Sequence, residues 1–166
     1  ILSMIRTLGG MVGAGQRADE LAGAYENNID SSLVRAADFT RRPKVYFEEW
    51  DNPQISGIRW VSELIEIAGG DDVFPELAVC PDGKSRIIGD PDEVVRRAPD
   101  IIIGSWCGKK FRPEKVAARQ GWDAIAAVQN GDIYEIKSAE ILQPGPAALT
   151  DGLEQLQEII ANWAHG

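Results

Sequence analysis

The sequence of 166 residues contains a single histidine, His165, one position from its end. A histidine-based catalytic triad needs an imidazole among the reacting groups, and a histidine-rich metal site needs several. Neither has its material here. Cysteine is nearly as scarce. Cys80 and Cys107 are too far apart for a CxxC motif and have no further partners for a zinc cluster. They read as two free thiols, or as one loop-to-loop disulfide if the chain works outside the cytosol. No apolar run reaches the roughly 20 residues that span a bilayer. Cationic side chains are outnumbered, 17 Lys and Arg against 26 Asp and Glu, for a net charge of −9. A basic face is the usual footprint of a nucleic-acid binder, so the partner is not expected to be nucleic acid. The chain opens at Ile1 with neither an initiator Met nor a charged-then-apolar leader. It is expected to be a piece of a longer protein.

What is present is ordinary globular material, 44% hydrophobic and 26% charged, long enough for one domain with a real core. The stretch Lys44–Gly70 organises the rest. Val45, Tyr46 and Phe47 are strand formers, and Glu48, Glu49, Trp50 and Asp51 make a polar tip. Asn52-Pro53 breaks the chain. Ile55, Ile58, Val61, Leu64, Ile65 and Ala68 then recur at helical steps, and Gly69-Gly70 ends the helix. Strand, acidic-aromatic turn and amphipathic helix form half of a βαβ unit. Ligands of open α/β sheets bind at the carboxyl ends of strands, which points to the Glu48–Asp51 tip.

Ahead of this unit, residues 3–37 keep one helical pattern with no proline. A continuous helix of that length would measure about 50 Å. It would bridge two bodies rather than belong to one. The glycines of LGGMVGAG resemble a dinucleotide loop, but no strand precedes them. Close packing of the helix explains them better. Downstream, Asp71–Asp82 reads as loop and Ser85–Ile88 as a short strand. Asp90-Pro91-Asp92-Glu93 reads as a capped helix start, in which Asp92 and Glu93 have a structural role by default. The apolar run Asp100–Ser105 reads as a buried parallel strand. Trp106 follows it, either displayed on a binding surface or folded back over its own loop. Asn130-Gly131 gives a hairpin signal between Ala124–Val128 and Ile133–Ile136. Ser138–Pro146 reads as loop, and Leu149, Leu153, Leu156, Ile160 and Trp163 line a last helix. The fold class is α/β, a three-layer Rossmann-like lobe with a mostly parallel sheet, preceded by a long linker helix. The boundaries fall at 1–38 for the helix and 39–166 for the lobe.

Three loops then share one rim: Glu48–Asp51, Trp106–Lys110 and Ser138–Gln143. Glu48 and Glu49, as strand neighbours, point to opposite faces and do not form a catalytic carboxylate pair. Ser56, Ser105 and Cys107 have no histidine base. No catalytic and no metal-ligating residue is assigned. A binding surface built on Trp50 and Trp106 needs none of the missing parts.

The runs RPKVYFEEWDNPQISGIRWVSELIEIAGGDDVF, DPDEVVRRAPDIII (Asp90–Ile103), AVQNGDIYEI (Ala127–Ile136) and ILQPGPAALTDGLEQL (Ile141–Leu156) carry a resemblance. In order and spacing they resemble the C-terminal lobe of class III substrate-binding proteins of ABC importers. Within that family the match is nearest to the cobalamin type, beside the haem and iron–siderophore types. The resemblance implies two Rossmann-like lobes with ligand held between them, no cofactor of the protein's own, and a transported cobalamin or iron chelate. This chain would be the interlobe helix and second lobe, without the first lobe, secretion signal or lipid anchor. By position, Trp106 and the Glu140, Leu142 and Gln143 loop become cleft residues. Trp50 joins them from the strand-tip argument. Asp92, or Glu93 one register on, becomes the acidic residue that meets arginines of the permease. The family more often has Glu there, and the bulky aromatic it can carry before this helix is replaced by Gly83–Arg86. Periplasmic or extracytoplasmic placement follows from the same resemblance. The alternative is a metal- or cofactor-dependent enzyme of chelatase or nitrogenase-like layout, with Cys80 and Cys107 converging. Ile1, Leu2, Met4, Ile5 and Leu8, left bare, would drive self-association through the first helix.

Overall fold

The longest strand, β1 (Lys44–Asp51), sits at the centre of the sheet because its side chains are apolar on both faces. Val45 and Phe47 point to one side and Tyr46 to the other, all fully buried. The computed structural model describes residues 1–166. Asn52-Pro53 turns β1 back into β2 (Gln54–Ser56), which pairs with it antiparallel. After α3 (Arg59–Ile67), the short β3 (Asp71–Asp72) lies parallel to the start of β1. Then come α4 (Pro75–Ala78), a single 3₁₀ turn at Lys84–Arg86, and α5 (Asp92–Arg97). β4 (Ile101–Gly104) runs parallel to β1, with Val45 opposite Ile101 and Phe47 opposite Ile103. α6 (Pro113–Ala117) and α7 (Ala126–Asn130) lead to β5 (Ile133–Glu135), parallel to β4. α8 (Ser138–Ile141) and α9 (Asp151–His165) complete the lobe.

The two sheet faces carry separate cores. Val45, Phe47, Ile101 and Ile103 pack against Val61, Leu64 and Ile65 of α3 and Leu153, Leu156 and Ile160 of α9. Tyr46 and Ile102 pack against Val94, Val116, Trp122 and Ala127 on the opposite side. Helices therefore cover both faces of a mostly parallel sheet, the expected three-layer α/β lobe.

Several local expectations change. The opening helix is two helices. α1 (Leu2–Met11) ends at Gly13, whose φ of 71° needs glycine, and α2 (Gly15–Ala37) folds back on it. A Cβ on Gly9 would lie 2.2 Å from that of Ala18, so this glycine allows the close approach. Arg6 clamps the pair with two 2.9 Å hydrogen bonds to Glu26. Ile1 and Leu2 pack on the lobe's core, whereas Met4 and Leu8 are exposed. Asn130-Gly131 makes no hairpin. Gly131 (φ 81°) ends α7, and the strand after it joins the sheet in parallel. Asn52-Pro53 is the hairpin turn, so Ile55 belongs to β2 and the helix starts at Arg59. Of Ser85–Ile88, only Ile87 bridges to β2, through Ile55. Asp90 accepts the Asp92 N–H at 3.1 Å, but no capping box forms, because Glu93 turns to Arg96 and Arg97.

Candidate functional site

β1, β4 and β5 all end at the same edge, so their following segments form one rim. A register shift between Glu48 and Trp50 bends the tip of β1. On either side of that bulge the two glutamates are pinned separately. Glu48 is fully buried. It accepts two hydrogen bonds from Arg119 (2.6 and 2.8 Å), one from the Tyr46 hydroxyl (2.9 Å) and one from Trp106 Nε1 (3.0 Å). Glu49 accepts from Arg86 at 2.6 and 3.2 Å, and Arg86 also donates to the Ser56 carbonyl. Burial acts to lower the pKa of Arg119, but the bonds and charge of Glu48 outweigh it and the net direction is upward. Burial, reinforced by the Glu48 charge, pushes the Tyr46 hydroxyl well above the usual tyrosine value.

Lys109 crosses the rim. Its ammonium donates to Asp51 Oδ2 at 2.5 Å and lies 5.4 Å from the Trp50 ring centre and 5.0 Å from that of Trp106. Lys109 thus joins the β1 tip to the segment after β4. Two buried polar atoms here lack partners, Asp51 Oδ1 and Ser105 Oγ. A buried polar atom without a partner is a feature that ligands satisfy. The arrangement can hold a flat ring against an indole and offer it a few polar contacts. No group of three or more His, Cys, Asp and Glu side chains comes together to hold a metal, and both thiols are free.

The expected site residues are not equivalent. Trp50 is half-buried at the rim, its Nε1 donating to the Asn52 carbonyl at 3.0 Å. Trp106 is only 4% exposed. It is folded back, edge-on to Phe111 at 4.8 Å, with Nε1 committed to Glu48. Of the two readings left open for this ring, displayed or folded back over its loop, the structure has the second. Glu140 is tied to Gln155 at 2.8 Å, Leu142 packs on the core of the α3 and α9 face, and Gln143 is exposed. Glu93 is spoken for by Arg96 and Arg97, at 2.5 and 3.0 Å, while Asp92 is exposed and pairs with no cation. The sequence reading missed Arg86 and Arg119, and it placed Lys109 on the rim without its partner Asp51. Arg119 is 71 residues from Glu48, and no local signal connects them.

The strand ends of this two-faced α/β lobe thus open onto one aromatic and polar rim. The chain belongs to the periplasmic binding protein family, whose sequence model matches residues 1–140. Solved structures share the fold. One is a possible iron-binding (periplasmic solute-binding) protein from Staphylococcus epidermidis, 21% identical with a TM-score of 0.81, matched over 96% of this chain and 60% of that one. S. aureus IsdE, complexed with heme, is 20% identical with a TM-score of 0.79 over 96% of this chain and 63% of its own. The vitamin B12 binding protein BtuF of Vibrio cholerae is 19% identical with a TM-score of 0.72 over 100% of this chain and 62% of its own. The chain thus spans less than two thirds of the length of each. No curated protein matches the sequence at a significant level.

Proposed function

We propose that this chain is the second lobe, with its entry helices, of the solute-binding component of an ABC importer. The whole protein holds a cobalamin, haem or ferric–siderophore chelate between two lobes and delivers it to the permease on the extracytoplasmic side, anchored through its N-terminal region. Residues 1–38 join the lobes, and residues 39–166 form one wall of the cleft. The exposed Met4, Leu8, Met11 and Val12 seat the first lobe, and without it they drive self-association. Of the two acidic candidates for docking, Asp92 is the better, since Glu93 is neutralised by its arginines.

The observation that carries this reading is the family match over residues 1–140 on a lobe whose strand ends converge on one rim. Trp50, Gln143 and the unpartnered atoms of Asp51 and Ser105 supply the cargo contacts; Trp106, Glu140 and Leu142 hold the rim in shape. Among the structural neighbours, a possible iron-binding protein, one complexed with heme and a vitamin B12 binding protein support the cargo class. Calorimetric titration of the full-length protein with haemin, cyanocobalamin and a ferric hydroxamate tests it. One of the three binds, and Trp50→Ala weakens it roughly two- to tenfold, the worth of one aromatic contact. Silence toward all three refutes the reading.

A further inference from the structure

The charges of the rim cancel one another. Arg119 meets Glu48 and Arg86 meets Glu49, each at 2.6 Å. Lys109 meets Asp51 at 2.5 Å, and Lys137 meets Glu135 at 2.6 Å. Lys110 and Glu140 are left over, one of each sign, the first exposed and the second held by Gln155. The rim is therefore neutral in a chain of net charge −9. A wall that recognises a carboxylate or a phosphate keeps a guanidinium or an ammonium free for it. Here both guanidiniums are spent inside the β1 tip, and the Lys109 ammonium, beside the Trp50 ring, is spent on Asp51.

The unpartnered atoms call for the complementary chemistry. Asp51 Oδ1 is buried and accepts nothing, while Lys109 already balances the charge through Oδ2. What Oδ1 lacks is a neutral donor rather than a further cation. Amide N–H groups at the edge of a cargo supply one. A carboxylate edge has only acceptors and meets Asp51 as a like charge. We infer that the cargo is an uncharged chelate with amide N–H donors at its edge, and that Lys109 sets this preference by balancing Asp51 beside Trp50. The inference rests on the importer reading and narrows its cargo. A corrinoid amide and a neutral ferric trihydroxamate peptide both have this chemistry; haem, with two carboxylates, does not.

Calorimetric titration of the full-length protein tests it with probes matched in shape. Cyanocobalamin is compared with its monocarboxylate, in which one amide is hydrolysed. A neutral ferric trihydroxamate peptide is compared with the same peptide bearing one carboxylate, and haemin is the third arm. In the pair that binds, the neutral member binds about tenfold tighter, and haemin does not compete with it. Asp51→Asn keeps the shape of the side chain and frees Lys109, so the carboxylate member gains about fivefold. Lys109→Met strands Asp51, and the carboxylate member loses about fivefold more. Lys109 is exposed, so its replacement opens no core. The double variant returns to the original preference. A merely structural role for the pair would change both members alike. Equal or tighter binding of the carboxylate member or of haemin overturns the inference and leaves the importer reading standing. So does a preference that Asp51→Asn does not move. Silence toward every probe refutes the importer reading, and the inference falls with it.

Discussion

Replacing Arg119 with alanine isolates the interaction that fixes the rim. Glu48 is completely buried and receives four hydrogen bonds, two of them from Arg119. The arginine side chain is itself only 20% exposed, so solvent screens the pair little. Without it the carboxylate keeps two neutral donors, Tyr46 and Trp106, and its charge is uncompensated. Breaking one side of a buried pair costs about 3–5 kcal/mol. That is a large part of a typical domain's stability of about 5–15 kcal/mol. Urea unfolding of the full-length protein at neutral pH measures the loss, and tryptophan emission reports release of the Trp106 ring. Adding Glu48→Gln to Arg119→Ala removes the stranded charge but keeps an acceptor for Tyr46 and Trp106. The double variant regains about 2 kcal/mol relative to Arg119→Ala. A single-variant loss below about 1 kcal/mol, typical of exposed pairs, would refute the reasoning. So would a double variant no more stable than the single one.

Two further outcomes follow from packing and protonation. Gly9→Ala gains up to about 1 kcal/mol of helix propensity, yet it loses about 1–2 kcal/mol net, because its Cβ meets Ala18 at 2.2 Å. Ala18→Gly restores the space, and failure of that rescue in thermal melts would place the clash elsewhere. At alkaline pH the raised Tyr46 value makes the folded chain keep a proton that the unfolded chain releases above roughly pH 10. Stability is then intact below that pH and falls as pH rises through it. Tyr46→Phe flattens the slope, leaving a remainder from Tyr134, which burial also raises. An unchanged slope in that variant, read from denaturant midpoints, counts against the assignment.

The layers of the fold were legible because their signals are local. β4 is a continuous apolar run, and α9 repeats its core residues at helical steps. The misreadings occurred where one local signal serves two structures. Gly131 in the left-handed region suits a hairpin turn and a helix end equally. The choice was made by β4, whose free edge accepts a parallel strand. The break at Gly13 was hidden for a similar reason. Nothing near it in sequence shows that Arg6 has a partner in Glu26, 20 residues on. Trp106 carried two readings, displayed or folded back, because no local signal tells whether an indole beyond a strand end has a core to enter. Phe111 and the buried Glu48 provide one.

Two adjacent glutamates, each held by an arginine far away in sequence, are an unusual expense of buried charge in a lobe this small. Their worth as stabilisers is doubtful on physical grounds, since apolar replacements of buried pairs often match them. Their effect on geometry is direct. Arg119 draws Glu48 toward the face of Tyr46 and Trp122, and Arg86 holds Glu49 toward Ser56. The strand tip is gripped from both sides at its bulge, just before Trp50 and Asp51. On the proposed reading those two residues are thereby set in advance of a ligand, with Lys109 bridging them to the segment after β4. A rim ordered in advance loses less conformational freedom on binding, and that saving appears as affinity. On this reasoning the ion pairs work less to hold the lobe together than to aim its edge.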